Sequence, residues 1–319
     1  MTWLVTGGAG YIGSHVVRAF QAEGIDSVVL DDLSTGLREF VPVGVPFIEG
    51  TILDTPLVTR ALTEHAVTGV VHLAGFKYAG ESVKRPIHTW EQNGNGTLSM
   101  LRAVTEAQVP NFVLSSSAAV YGTPDVDLVT ETTATRPQSP YGESKLVDEW
   151  MLADVARATG LSHTSLRYFN VVGSGSPELW DSSPHNLFPL VISALRDGRV
   201  PIIFGQDYPT PDGTCVRDYV HVADLAHSHV AAAKALEAGT ALQPVYNLGS
   251  GLGVSVAQIM AAMARVTGID FTPAIAPRRP GDPARIVADG SAAERDLDWQ
   301  MRHDLDRMVS DAWSAGGAA

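Results

Sequence analysis

Val5-Thr6-Gly7-Gly8-Ala9-Gly10-Tyr11-Ile12-Gly13-Ser14-His15 is the stretch that decides the fold. It sets G-x-x-G-x-x-G directly after the apolar run Trp3–Thr6 and directly before a segment in which Ile12, Val16, Val17 and Phe20 recur at helical spacing. Gly7 permits a tight turn, Gly10 lets backbone approach a pyrophosphate, and Gly13 lets helix and strand pack closely. The helix start at Tyr11 and Ile12 offers N–H groups and a positive dipole to phosphates. Asp31 ends the next apolar run, 18 residues after Gly13. A carboxylate there accepts from ribose hydroxyls and repels a 2′-phosphate, so the expected cofactor is NAD rather than NADP. Asp32 follows at once, and either acid, or both, fits the role.

Working outward, short β-branched runs alternate with longer helical segments, the signature of a parallel sheet covered by crossover helices. The runs are Trp3–Thr6, Ser27–Leu30, Phe47–Glu49, Gly69–Leu73, Asn111–Ser115 and His163–Tyr168, with helical stretches at Leu98–Val104 and Glu143–Thr159. Six strands with their helices predict an α/β fold containing a Rossmann-type doubly wound parallel sheet. From about Asn170 turn chemistry takes over, in Gly173–Pro177 and Asp181–Pro184, followed by a helix at Leu187–Asp197. That change predicts a smaller C-terminal α/β substrate domain. Regularity returns at Arg217–Leu236, with Asp224 as the expected N-cap of an Ala-rich helix, and at Val245–Leu248. The expected division is residues 1–170, rejoined by 217–248, for the nucleotide domain, and 171–216 with 249–319 for the second. The tail after Met301 reads as helical, with Gly316–Ala319 frayed.

A length of 319 residues matches roughly two domains of about 150 residues. Lys+Arg 22 against Asp+Glu 35 leaves a net charge of -13, and no block of like charge stands out, so broad contact with nucleic acid meets repulsion. Cys215, the one cysteine, has no internal disulfide partner, and no long apolar span or leader stands at Met1. A cytoplasmic protein that binds neither nucleic acid nor membrane is expected. His227-x-His229 projects its rings to different sides of a helix, and no metal is expected. Cys215, in a Gly-Thr-Cys-Val turn without a His/Asn partner pattern, reads as a small packing residue.

The chemistry is carried by Tyr141 and Lys145, a Y-x-x-x-K pair that one helical turn sets on the same face. A phenol with a reference pKa of about 10 is a poor base at neutral pH. A neighbouring ammonium and a positive nicotinamide ring favour phenolate, so the pair predicts a lowered Tyr141 pKa. The preceding strand ends in Ser115-Ser116-Ser117 at the carboxyl edge of the sheet, where Ser117 can hydrogen-bond the reacting hydroxyl and relay its proton to Tyr141. Ser116 reads as structural.

With these residues in place, the chain resembles the extended short-chain dehydrogenase/reductases and, within them, the UDP-glucose 4-epimerase family. The likeness runs over nearly the whole length. It includes Leu73-Ala74-Gly75-Phe76-Lys77, Asn93-Gly94-Asn95-Gly96-Thr97, Ser115–Gly122, Pro140–Lys145, Leu166–Asn170, Asp212–Val222, Tyr246–Gly249 and Pro277–Asp282. The resemblance implies reversible C4 epimerisation of UDP-glucose and UDP-galactose through a transient 4-keto sugar and tightly bound NAD, with Tyr141 taking the 4-hydroxyl proton. It implies Lys77 and Lys145 near the nicotinamide ribose, with Thr51, Ile52, Leu73, Ala74, Gly75, Asn93 and Ser115 beside the cofactor. Tyr168 and Phe169 would wall the site. Asn170, Asn186, Leu187, Phe204, Arg217, Arg279 and Asp282, together with Lys77, Ser117 and Tyr141, would contact the UDP-sugar. Helices at about His88–Ala107 and Glu143–Thr159 would pair across a homodimer.

Five departures from the family pattern bear on these expectations. Thr51 replaces the usual Asp at the adenine amino group. Ala118 and Ala119 replace the acids of the related dehydratases, which argues against 4,6-dehydration. Ile286 stands at the position that gates N-acetylated sugars, and Tyr78 and the 173–180 loop also differ, so the sugar itself stays open. The alternatives are a 4-epimerase of another sugar nucleotide (UDP-glucuronate, a UDP-pentose or a UDP-N-acetylhexosamine) and a non-catalytic NAD-sensing protein on the same fold.

Overall fold

Four of the five residues of β1 (Thr2–Thr6) are buried; burial on both faces is what a parallel strand covered by two helical layers requires. The computed structural model describes residues 1–279 and 282–315, so Pro280 and Gly281 of the Pro277–Asp282 motif and the expected frayed end Gly316–Ala319 lie outside the described residues. From β1 the chain runs through α1 (Tyr11–Ala22), β2 (Asp26–Asp31), β3 (Phe47–Glu49), α2 (Thr55–Glu64), β4 (Gly69–His72), α3 (Ala79–Lys84), α4 (Pro86–Trp90), α5 (Gly96–Glu106), β5 (Asn111–Ser117), α6 (Pro140–Thr159) and β6 (Ser162–Tyr168). A second series comprises β7 (Asn170–Val172), α7 (Leu187–Arg196), β8 (Ile202–Phe204), β9 (Val216–Arg217), β10 (Tyr219–His221), α8 (Val222–Glu237) and β11 (Val245–Leu248). Then come β12 (Val254–Ser255), α9 (Val256–Thr267), β13 (Ala274–Ala276), β14 (Arg285–Ile286), α10 (Ser291–Leu297) and α11 (Leu305–Ser314).

The main sheet has seven strands, one more than the six expected, in the order β11-β6-β5-β4-β1-β2-β3. All its pairings are parallel, and β11 joins through Val245–Leu248 against Ser165–Tyr168. The strand order reverses between β1 and β4, which opens a crevice at their carboxyl ends. Side chains alternate across the sheet. Trp3 and Val5 pack with Val16, Val17 and Phe20 of α1 and with α8 residues. Leu4 packs on the opposite face with Val58, Met100, Leu101 and Leu152 from α2, α5 and α6.

The second region is built from short pairings. β7 runs parallel to β10, β8 parallel to β13, and β9 lies between β12 and β14. Phe188, Ile259, Met260, Met263 and Met308 form its core with Tyr219.

Two local expectations are corrected. The N-cap of α8 is His221, whose Nδ1 accepts the Ala223 N–H at 3.1 Å, because β10 feeds straight into the helix. Asp224 lies inside the first turn, fully buried, and binds the backbone N–H groups of Arg302 and His303. The expected continuous helix over His88–Ala107 is interrupted by a π turn at Glu91–Asn95 between α4 and α5. A π turn rotates the residues that follow it, and here it turns Asn93 inward to the loop after β4.

Candidate active site

At the end of β1 the chain turns through Gly7, whose φ of 69° is the left-handed region. A Cβ on Gly13 would meet Gly7 O at 2.2 Å, so only glycine lets α1 start this close to the turn. The N-cap Gly10 supplies no side-chain cap, and no acid stands in the first turn. The α1 N-terminus therefore presents N–H groups without a side-chain anion, at the crevice where the strand order reverses. Asp31 faces this loop: Oδ2 accepts from Ala9 N at 3.0 Å and Oδ1 from Leu33 N at 2.9 Å. Burial pushes its pKa up, against those two hydrogen bonds. Each oxygen retains acceptor capacity for a ribose hydroxyl, so the cradle fits a dinucleotide. Asp32 instead turns outward and binds Ser34 N and Oγ. The hydroxyl of Thr51 accepts from Leu53 N at 3.3 Å, and Ile52 is buried beside Gly96.

The loop after β4 is clamped onto α6. Leu73 N and Ala74 N donate to Thr6 Oγ1. Asn93 Oδ1 accepts from Phe76 N at 2.7 Å, while its Nδ2 donates to Phe76 O and to Ser144 Oγ of α6. Gly75 has no room for a side chain, since a Cβ would meet Asn93 Oδ1 at 2.8 Å; the same point lies 3.9 Å from Lys145 Nζ. Lys77 is exposed, with Nζ 5.6 Å from the Tyr78 ring centroid.

Helix α6 delivers the reactive pair. Pro140 fits its first turn, and Ser139 Oγ caps it by accepting from Gly142 N at 3.2 Å. Tyr141 is fixed through its N–H to Ser82 Oγ at 3.1 Å, and its phenol faces the Ser117 hydroxyl at the end of β5. The expected lowering of the Tyr141 pKa by Lys145 is not met by the protein's own groups. Burial pushes the phenol up, Asp148 adds to the rise, and the Ser117 hydrogen bond pulls it down. Burial likewise pulls Lys145 down, opposed by Asp148 and Glu149. For both groups desolvation is the largest cause, and it disfavours the charged form of each.

Around this pair the serines divide. Ser115 Oγ bonds Tyr168 OH, and Ser116 Oγ donates to Glu149 Oε1 at 2.5 Å. Glu149 also receives Arg167 in a two-pronged pair, Nε–Oε1 at 2.8 Å and Nη2–Oε2 at 2.6 Å, with both side chains 6% exposed. Arg167 Nη1 reaches Tyr121 OH at 2.9 Å. Phe169 packs with Val120, Tyr121, Leu146 and Ile286.

A second group assembles from the short strands. Arg217 Nη2 lies 3.4 Å from Asp282 Oδ1, and the Arg279 guanidinium sits 4.2 Å from the Phe204 ring centroid. Asn186 stands at the N-cap position of α7, beside Leu187, without a side-chain cap bond, and donates through Nδ2 to Asp181 Oδ2 at 2.7 Å. Asn170 opens β7, its N–H bonded to Asp218 O. The structure thus gathers Phe204, Arg217, Arg279 and Asp282, while Asn186 and Leu187 stand on a separate helix. Sequence reasoning missed Asp218, which is fully buried and accepts from Ser250 N and Oγ, Gly251 N and Ala288 N. That hub ties the loop after β11 to the strand segment carrying Ile286. Its position inside the Arg217-Asp218-Tyr219 motif was the available signal.

One cluster among the described residues, His221, His303 and Asp311, brings three ligating atoms within 4.8 Å of one another. His221 Nδ1 accepts a backbone N–H, so the neutral ring carries its proton on Nε2, 3.3 Å from Asp311 Oδ2. Its ring stacks on His303 at 4.0 Å, and stacked rings do not aim two lone pairs at one ion. The cluster is a polar joint between α8 and α11.

Comparison with known proteins adds to this geometry. Residues 3–249 match the NAD dependent epimerase/dehydratase family. The chain is 43% identical over 318 residues to a UDP-glucose 4-epimerase of Corynebacterium glutamicum, covering 98% of this chain and 95% of that protein. A solved UDP-glucose 4-epimerase from Brucella ovis in complex with NAD is similar with a TM-score of 0.93 at 39% identity, covering 98% and 97% of the two chains. A UDP-glucose-4-epimerase from Stenotrophomonas maltophila, with bound NAD and formylated UDP-arabinopyranose, is similar with a TM-score of 0.93 at 40% identity and the same coverage.

Proposed function

The chain belongs to the NAD dependent epimerase/dehydratase family, and from that premise we propose that Tyr141, Lys145 and Ser117 carry out the chemistry of an NAD-dependent UDP-sugar 4-epimerase. The reaction is the reversible C4 epimerisation of UDP-glucose and UDP-galactose through a transient 4-keto sugar. Bound NAD supplies a hydride acceptor that returns the hydride, so no net redox change results. The observation that carries the residue assignment is the placing of Tyr141 and Lys145 one helical turn apart at the head of α6, with Ser117 ending β5 at the carboxyl edge of the sheet.

Tyr141 Oη would take the proton of the sugar 4-hydroxyl, directly or through Ser117 Oγ, and give it back to the same oxygen when hydride returns to the opposite face of C4. Lys145 stands beside the loop at Gly75, where a positive charge would favour phenolate once the nicotinamide ring is in place. Asp31 binds the adenosine ribose, and the α1 N-terminus receives the pyrophosphate. Arg217 and Arg279 neutralise the UDP diphosphate in a protein whose net charge is -13. Phe204 and Asp282 orient those two arginines.

The same proposal assigns residues 1–170 with 217–248 to NAD, and 171–216 with 249–319 to the UDP-sugar. It includes a homodimer, supported by the exposed Val83, Ile87, Leu98 and Trp150 on α3 to α6. It also places the protein in the cytoplasm, supported by the single unpaired Cys215. Among the described residues no helix is long and apolar enough to cross a membrane. The test is incubation with a panel of UDP-sugars and separation of C4 epimers by chromatography. Interconversion of UDP-galactose and UDP-glucose is expected, with deuterium at C4 retained in the product; release of that label to solvent would rule out hydride return.

A further inference from the structure

A directed file of hydrogen-bonding groups runs from β1 through β4 to Thr97 of α5, behind the reactive pair. Thr6 Oγ1 accepts the N–H groups of Leu73 and Ala74 and lies 2.8 Å from His72 Nδ1. With its lone pairs taken, Thr6 gives its own proton to Nδ1. The His72 ring proton is then on Nε2, 3.2 Å from Thr97 Oγ1. Burial holds this ring neutral, its pKa pulled down to about 3. Thr97 receives from His72 and has one proton left to give. It faces the Asp148 carboxylate and favours its charged form.

Asp148 is fully withdrawn from solvent, and neither of its oxygens has a well-formed hydrogen bond among the described residues. A buried carboxylate without full hydrogen bonding is costly to a fold unless another charge compensates. The charged groups facing it are Lys145, one turn earlier on α6, and Glu149, its neighbour on the same helix. Tyr141 feels it from two turns away, and His72 of β4 faces Lys145. Lys145 favours the charged carboxylate and Glu149 opposes it; Asp148 in turn favours the charged form of Lys145.

We propose that Asp148 is a positioning residue for the Tyr141/Lys145 pair: the file Thr6–His72–Thr97 turns a donor toward a carboxylate behind the ammonium, and that carboxylate keeps Lys145 charged where dry surroundings would neutralise it. This rests on the assignment of Tyr141 and Lys145 above. Burial lifts the Asp148 pKa to about 6, so the countercharge is present above that pH and withdrawn below it.

The experiment compares the pH profiles of kcat and KM for UDP-galactose between the NAD-loaded parent and Asp148→Asn. The alkaline limb, where Lys145 gives up its proton, moves lower by about one pH unit or more, while KM is unchanged. Thermal stability at neutral pH falls as well, because Lys145 loses a buried countercharge. Thr97→Val, which takes away only the donor, raises the acid limb. Profiles of Asp148→Asn that superimpose on the parent overturn the inference, whatever the height of kcat. Should that variant fail to fold, a superimposable Thr97→Val profile does so. Tyr141→Phe is run alongside: retained turnover there sinks the site assignment itself, whereas its loss with superimposable Asp148→Asn and Thr97→Val profiles overturns this inference alone.

Discussion

The two sides of the site treat charge in opposite ways. Along α6 and β6, Lys145, Asp148, Glu149 and Arg167 are all withdrawn from water and held by strand and helix backbone. Around β8, β9 and β14, Arg279 is exposed and Asp282 keeps 37% of its side chain in water, while Arg217 is drawn in to 12%. Charge that acts on a transition state must be fixed before the substrate arrives, since reorganising it during the reaction costs rate. Charge that clasps a diphosphate acts equally on ground and transition states, so it tolerates mobile, solvated side chains.

The sharpest way to break this contrast is Tyr141→Phe, expected to lower kcat by about a hundredfold to ten-thousandfold while UDP-sugar binding, measured by calorimetry, stays near the parent value. Glu149→Ala strands Arg167 in a site where both partners were 6% exposed, and denaturant unfolding should show a loss of about 3–5 kcal/mol. A loss no larger than that of an exposed pair would remove the distinction between the two sides.

A third test uses pH. Burial pulls His15, His221 and His229 down to about 4 and His72 to about 3. Below pH 6.5 the unfolded chain binds protons that these folded rings refuse, so stability falls as pH drops from 6.5 toward 4. Asp148, raised to about 6, and Asp31, also raised, act in the opposite sense but are fewer. The melting temperature at pH 5 should therefore lie below that at pH 7; equal values would mean that these histidines are hydrated. The smallest effect is expected from Arg217→Ala, which raises KM about tenfold with kcat little changed. A fall in kcat alone would put Arg217 on the preorganised side.

The legibility of the two sides differs for the same reason. Gly7, Gly10 and Gly13, the Asp31 spacing and the Tyr141/Lys145 turn are local patterns, each confined to one strand, turn or helix start. Six strands of the sheet also followed from local periodicity, whereas their order and the seventh strand, β11, which returns from far along the chain, came from the structure. Asn93 was marked through family likeness, yet its use became visible only when the π turn brought it to Phe76 and Ser144. Asp224 misled because a helix-start acid is a good cap in isolation, whereas the segment at Arg302–His303 competes for the same oxygens.

The sequence by itself determined the nucleotide turn, the parallel alternation and the phenol–amine pair, because each depends on backbone conformation and spacing within a few residues. Tertiary structure alone decided which buried charges face one another: Glu149 with Arg167 across α6 and β6, and Asp148 with the file that begins at Thr6. It also decided the direction of the Tyr141 shift. Desolvation and Coulomb attraction depend on what surrounds a group in space, and no spacing along the chain records how far water has been removed.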